Sequence, residues 1–228
     1  MWLTHLSLPR IVSYRHVSKI QDNLVAKLLA HKAHPSSTPP NPAIVTAEFK
    51  PVYACGRREV GHISASQQAF LRDNGRAEFV EALRGGQTTF HGPGQMVAYP
   101  VIDLKRHGIS PREYVCLLEK AVIATCARWG IKGITTENPG VWVSEESKIA
   151  ALGVHLRRNV SSHGVAINVN TDLWWFERIV ACGLEGKKTT SFEQEGVANV
   201  SVGDVAAAFV EEFGKSLGIE ETQVRIID

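Results

Sequence analysis

Apolar side chains recur at Ile20, Leu24, Val25, Leu28 and Leu29, the spacing of one helix face, so residues 18–31 are predicted to form an amphipathic helix. A second helix opens at Ser110-Pro111-Arg112-Glu113, a capping box with proline in the first turn, and carries Val115, Leu118, Val122 and Trp129 on one side. Ser201 and Asp204 cap a third, with Val205, Phe209, Val210 and Phe213 as its apolar stripe and Gly218 as its stop. Strands are predicted over 43–47, 79–83, 96–102, 140–143, 149–156 and 164–170, the last alternating through Val165, Ile167 and Val169. Strands in the middle with helices between and after them give an α+β class and not a regular βα alternation.

At 228 residues and 44% hydrophobic, the chain can bury one sizeable core, and no linker divides it into comparable halves. A single domain over 1–228 follows, with a Pro-rich loop insertion near 35–42. A net charge of +2 is modest, but cations cluster at Arg57-Arg58, Lys105-Arg106-His107, Arg157-Arg158 and Lys187-Lys188. They read as solvated surface or as steering sites for an acidic partner. Their scatter, without interleaved aromatics, argues against nucleic acid. Cys55, Cys116, Cys126 and Cys182 have no CxxC spacing, and the nine histidines form no zinc pattern, which disfavours a bound metal and a disulfide framework. No run is long enough to span a bilayer and no secretory signal is present, so a soluble protein of a reducing compartment is expected. The first acidic residue is Asp22, leaving Arg10, Arg15 and Lys19 unopposed; this composition reads as a mitochondrial targeting segment or as a first strand, with a bacterial cytoplasm as the alternative setting.

The most unusual stretch is Arg84-Gly85-Gly86-Gln87-Thr88-Thr89-Phe90-His91-Gly92-Pro93-Gly94-Gln95. Glycine lets a ligand lie against main-chain N–H groups, and a hairpin needs only two or three such residues, so a binding loop is expected over a mere turn. It is not a nucleotide cradle. The third glycine of a dinucleotide fingerprint is missing after Gly94, and Gly214-Lys215-Ser216 has Phe209 where a P-loop needs its first glycine.

Among the cysteines, Cys182 stands out because Gly183 follows it and no helix contains it; Cys116 and Cys126 read as buried apolar groups of the second helix, and Cys55 is a less favoured reactive thiol. A thiol of ordinary pKa, about 8.5, needs a neighbouring cation or base to act as a nucleophile. Lys148, ahead of the small apolar run Ile149-Ala150-Ala151-Leu152-Gly153, is the candidate, against the commoner reading of a strand-start lysine with its amine in water. His91 and His163, each followed by glycine at a loop boundary, are either satisfied structural histidines or two members of one pocket. Asn168 and Asn170 orient a loop or form a turn, and Trp174-Trp175-Phe176 is core, lid or a contact for a hydrophobic tail.

The glycine-rich motif, then Lys148-Ile149-Ala150-Ala151-Leu152-Gly153, His163-Gly164-Val165-Ala166-Ile167-Asn168 and Ala181-Cys182-Gly183, resemble in their order the motifs of the lipoyl-protein octanoyltransferases, over nearly the whole chain. The resemblance implies the α+β domain with a mixed β-sheet flanked by helices that is shared with biotin and lipoate protein ligases. It implies transfer of an octanoyl group from octanoyl-acyl carrier protein to a lysine of lipoyl domains, those of 2-oxoacid dehydrogenase complexes and of the glycine cleavage H protein; no cofactor is expected, and a monomer is the default. Cys182 is then the residue that takes the acyl group as a thioester and Lys148 the residue that lowers its pKa. Substrate contacts fall on Arg84, Gly85, Gly86, Gln87, Thr88, Thr89, Phe90 and His91, on Ala151, Leu152 and Gly153, and on His163, Gly164, Val165 and Ala166. Backbone N–H groups around Gly85, Gly86 and Gly153 are candidate oxyanion donors.

Rival readings are an ATP-dependent lipoate or biotin ligase, which has no need of Cys182, an amidotransferase moving lipoyl or octanoyl groups between protein lysines, and a non-catalytic acyl or peptide binder.

Overall fold

The computed structural model describes residues 1–35, 38–179 and 186–227. Its main sheet is built from β1 (Leu3–Val12), β2 (Ala43–Phe49), β6 (Gln95–Val101), β7 (Val141–Trp142), β8 (Ser147–Arg157), β9 (Val160–Asn168), β10 (Lys188–Thr189) and β11 (Thr222–Ile226). The order is β10-β8-β9-β6-β2-β1-β11, with β7 also paired to β8. The sheet is mixed: β1 runs parallel to β2 and β11, and β10 parallel to β8, while β2/β6, β6/β9 and β8/β9 are antiparallel. A second, three-stranded sheet is ordered β4-β3-β5, from β3 (Val52–Cys55), β4 (Glu78–Glu81) and β5 (Thr89–His91). The helices are α1 (Tyr14–Ala33), α2 (Ala65–Arg72), α3 (Pro111–Ala127), α4 (Trp174–Glu177) and α5 (Val202–Ser216).

Both faces of the main sheet are apolar, so its strands alternate between two cores instead of between core and water. Ile44, Met96, Ala98, Val165 and Ile167 pack with Leu118, Val122, Phe209 and Phe213 of α3 and α5. Their neighbours Val45, Ala47, Val97, Tyr99 and Ala166 face the other way, onto Tyr14 and Val17 of α1. The capping boxes at Ser110 and Ser201 are formed as expected. The first helix begins four residues earlier than its apolar spacing indicates, because the Ser13 side chain accepts from the His16 N–H and caps it. The basic N-terminal stretch forms β1 and the first turns of α1, the strand reading of those residues.

Three local expectations are corrected. Cys116 is exposed: it lies about 100° round the helix from Val115, off the stripe of Val115, Leu118 and Val122 that should have decided its side. Trp129 lies beyond the end of α3, where it packs on Phe192 with ring centres 5.6 Å apart. The glycine-rich stretch is not one loop, since Thr89–His91 is strand β5 and Gly92-Pro93-Gly94 is the tight turn into β6.

Candidate active site

A cavity of about 470 Å³, within the size range of small-molecule pockets, opens where β8 and β9 leave the main sheet's centre and the loop before β5 crosses them. Strands β5, β6, β8 and β9, three loops and one residue of α3 supply its lining. Arg84, Gly85, Gly86, Gln87, Thr89 and His91 come from the glycine-rich stretch, Ala151, Leu152 and Gly153 from β8, His163, Gly164, Val165 and Ala166 from β9, and Lys148 from the start of β8. His91 and the His163-Gly164 pair therefore meet in one pocket, while Gly92 lies outside its lining. Thr88 and Phe90 point elsewhere. The Thr88 N–H and hydroxyl both donate to Glu59, and Phe90 stacks on Trp175, ring centres 5.0 Å apart, in the cluster that buries Tyr53 and Phe176. Trp175 and Phe176 are thus core, while Trp174 stays partly exposed.

Glycine has a steric role at the pair Gly153 and Gly164, directly opposite each other in the β8/β9 ladder. A Cβ on Gly164 would come within 2.4 Å of the Ala98 carbonyl oxygen, and one on Gly153 within 3.0 Å of the Arg84 side chain. The approach to Gly164 is set by His163, whose φ of 56° is unusual for a non-glycine residue and whose N–H is held 2.5 Å from Oε1 of Gln21 on α1. His163 accordingly lies inside β9 and not at a loop boundary.

Lys148 is buried, at 8% exposure, contrary to the solvated reading. Its Nζ donates to the Pro139 carbonyl at 3.1 Å and sits 4.5 Å from the centre of the Trp142 ring. Gly140 makes the space, since a Cβ there would lie 3.1 Å from Lys148 Cε and 2.8 Å from the Ala150 oxygen. Glu119 on α3 fixes this turn by accepting from the Gly140 N–H at 3.0 Å. Glu48 does the same for Gly94, and Glu59 for Thr88, so three carboxylates from three elements hold the backbone around the cavity. Arg58, Tyr99, Val115, Asn138, Pro139 and Val154 also line it. None of these reads as a cavity residue from the sequence, where Arg58 figures only in a basic pair and Val115 only on a helix stripe; the Asn138-Pro139-Gly140 turn shortly before Lys148 is the one legible signal.

The buried Arg84 guanidinium donates to the Ala54 and Gly85 carbonyls. Burial, and then this cation, hold the imidazoles neutral: His91 is pushed down to about 4 (with a hydrogen bond to Gln95 opposing) and His163 to about 3. Gly85 is not a free oxyanion donor, because its N–H is already given to the Val154 carbonyl at 3.0 Å. Burial raises the Cys55 thiol and pushes Cys126 up to about 12, so neither is an activated nucleophile. Cys182 lies outside the described residues. Among the described residues no group of three or more His, Cys, Asp or Glu could hold a metal ion, and no helix is long and apolar enough to cross a membrane.

The family profile described as lipoyl protein ligase A/B catalytic domain matches residues 16–214. A probable octanoyltransferase of Schizosaccharomyces pombe is 55% identical over 188 residues, 82% of this chain and 83% of its own length. The mitochondrial octanoyl-[acyl-carrier-protein]:protein N-octanoyltransferase of Danio rerio is 41% identical over 90% of both chains. Solved structures share the fold at low identity: ATP-bound lipoate-protein ligase A has a TM-score of 0.70 at 14% identity, covering 100% of this chain and 90% of that one. The Aquifex aeolicus biotin protein ligase with biotin and ATP has a TM-score of 0.56 at 12% identity, covering 94% and 70%. Relatives from fish, frog, yeasts and human share a mitochondrial designation, which supports the same localisation here. The chain belongs to the lipoyl protein ligase A/B catalytic domain family, and within it to the octanoyltransferases of lipoate biosynthesis, acyltransferases that act in mitochondria.

Proposed function

We propose that the protein transfers an octanoyl group from octanoyl-acyl carrier protein to a lysine of lipoyl domains, including those of 2-oxoacid dehydrogenases and the glycine cleavage H protein, through a thioester on Cys182. The observation that carries this reading is a buried lysine, Lys148, at one wall of a largely apolar cavity. Further support is the pairing of Thr189 with Lys148: β10 follows Cys182 by a few residues and returns the chain to the lysine's strand.

In the first half-reaction the Cys182 thiol gives its proton to the Lys148 amine and the thiolate attacks the thioester carbonyl carbon. The bond to the carrier sulfur breaks, and that sulfur takes the proton back from the Lys148 ammonium. In the second, the lysine amine of the lipoyl domain attacks the enzyme thioester, a C–N bond forms, Cys182 leaves as thiolate, and Lys148 takes the amine's proton. The acyl group arrives activated, so the scheme uses no nucleotide. Ala151, Leu152, Gly153, Val165 and Ala166 would surround the alkyl chain, with Arg84 to Gln87, Thr89 and the two histidines forming the polar side. Intact mass after incubation with octanoyl-acyl carrier protein tests the reading: an octanoyl adduct on Cys182 is expected, and an unmodified protein that still transfers would overturn the covalent route.

A further inference from the structure

A line of buried side-chain amides runs from β10 to the cavity. Asn168 Nδ2 lies 3.0 Å from the Thr190 carbonyl oxygen, Gln95 Nε2 lies 2.8 Å from Asn168 Oδ1, and His91 Nδ1 lies 2.6 Å from Gln95 Oε1. Its orientation is fixed from one end. A backbone carbonyl only accepts, so Asn168 must turn its nitrogen toward Thr190 and its oxygen toward Gln95. That oxygen only accepts in turn, so Gln95 presents nitrogen to Asn168 and oxygen to His91. The proton of a neutral His91 ring must then sit on Nδ1, leaving the lone pair on Nε2. Gln95 and Asn168 are 2% and 4% exposed, so water does not compete for these bonds. Nε2 has no hydrogen-bond partner among the described residues, and His91 lines the cavity.

We propose that Gln95 and Asn168 are positioning residues that lock the His91 tautomer, so that Nε2 accepts a hydrogen bond from the amine of the incoming lysine and aims its lone pair at the enzyme thioester. The inference rests on the acyl-transfer reading. The octanoyl thioester of the enzyme has a carbonyl and an alkyl chain, neither of which can donate; the acceptor lysine brings N–H groups. A ring with a pKa of about 4 is too weak a base to keep an alkylammonium's proton, so its part is alignment, and the proton passes to Lys148.

The test has two arms. Two-bond 1H–15N correlation spectra of the unliganded protein should show His91 protonated on Nδ1 and bare on Nε2 across neutral pH; a proton on Nε2 overturns the relay. In Gln95→Leu the ring should populate both tautomers, and discharge of the octanoyl-enzyme by a lipoyl domain should slow about fivefold, the worth of one hydrogen bond of roughly 1 kcal/mol, with formation of the adduct slowed far less. An unchanged tautomer and rate, or equal slowing of both half-reactions, overturns the proposal. Absence of any adduct in the unsubstituted protein defeats the acyl-transfer reading and the amine's role with it, while the ring-proton spectrum still decides the relay.

Discussion

The ammonium of Lys148 lies over the Trp142 ring, 4.5 Å from its centre, with the Pro139 carbonyl as its hydrogen-bond acceptor. Neither partner is anionic, so the contacts that hold the lysine in place do not pair off a charge on it. A cation kept this way would retain most of its field for the thiolate proposed at Cys182. Lys148→Ala should raise the apparent pKa of the Cys182 thiol and slow its alkylation at neutral pH. Iodoacetamide reactivity that is the same in both proteins across pH 6–9 would remove Lys148 from that role.

The position of Lys148 is owed to Gly140, whose φ of 134° and missing side chain admit the lysine's methylenes. Gly140→Ala adds a contact at 2.8 Å to the Ala150 oxygen in a conformation that costs an alanine about 1–3 kcal/mol. The variant should stay folded with a lowered melting temperature and lose more than tenfold in turnover. Activity that falls no further than stability explains would show that the lysine does not need this turn.

Cys182→Ala should abolish adduct and turnover while leaving the melting temperature within a few degrees. The buried Cys55 and Cys126 and the exposed Cys116, each changed to alanine, should still acquire the octanoyl group. An adduct on the Cys182 variant, mapped to another cysteine, would reassign the nucleophile.

Three buried histidines set an acid limit. His5 and His91 are pushed down to about 4 and His163 to about 3, all chiefly by burial, against about 6.5 in an unfolded chain. Between pH 6.5 and about 4 the unfolded state binds protons that the folded state excludes, so stability falls as pH falls through this window and is level above it. The exposed carboxylates with lowered pKa act below about pH 4.5, which separates the two effects. A melting temperature that is constant from pH 7 to 4.5 would contradict neutral, buried imidazoles.

Arg58 lines the cavity, and the cations of Arg57 and Arg157 both bear on His155, whose chain neighbour Val154 lines it, so two of the four basic clusters lie near one another. Lys105-Arg106-His107 is elsewhere, with Arg106 bonded to the Pro40 carbonyl. Charge reversal at Arg57-Arg58 or Arg157-Arg158 should raise the KM for an acidic protein substrate and flatten the salt dependence of its rate, and reversal at Lys105-Arg106 should not. A short octanoyl thioester should be affected little. Equal losses with the protein and the small thioester would assign these arginines to the acyl site.

The elements legible in the sequence were those whose cause is local. The α3 and α5 capping boxes and the Val165, Ile167, Val169 alternation need only neighbours within a few residues. Side-chain direction in the glycine-rich stretch was not legible, because Thr88 is turned by Glu59, 29 positions away, and Phe90 by Trp175. The same holds for the turn that carries the acceptor of Lys148 and for the backbone of His163: Glu119 holds the Gly140 N–H and Gln21 the His163 N–H, from helices whose faces the pattern predicts but whose partners it does not. Cys116 was misjudged for the opposite reason, a preference of its residue type set above the helical spacing that placed it outward.

The tight turn Gly92-Pro93-Gly94 joins β5 of the small sheet to β6 of the large one, and its last carbonyl, Gly94 O, accepts from the Val169 and Asn170 N–H groups and the Thr171 hydroxyl. A junction bonded three times at one oxygen has little freedom to hinge. The gap between the sheets is therefore set by main chain and is the same for every side chain that lines it. Any drift in preferred acyl length among relatives would have to be written in residues such as Leu152 and Val165, as the bore of a fixed barrel is changed by its lining.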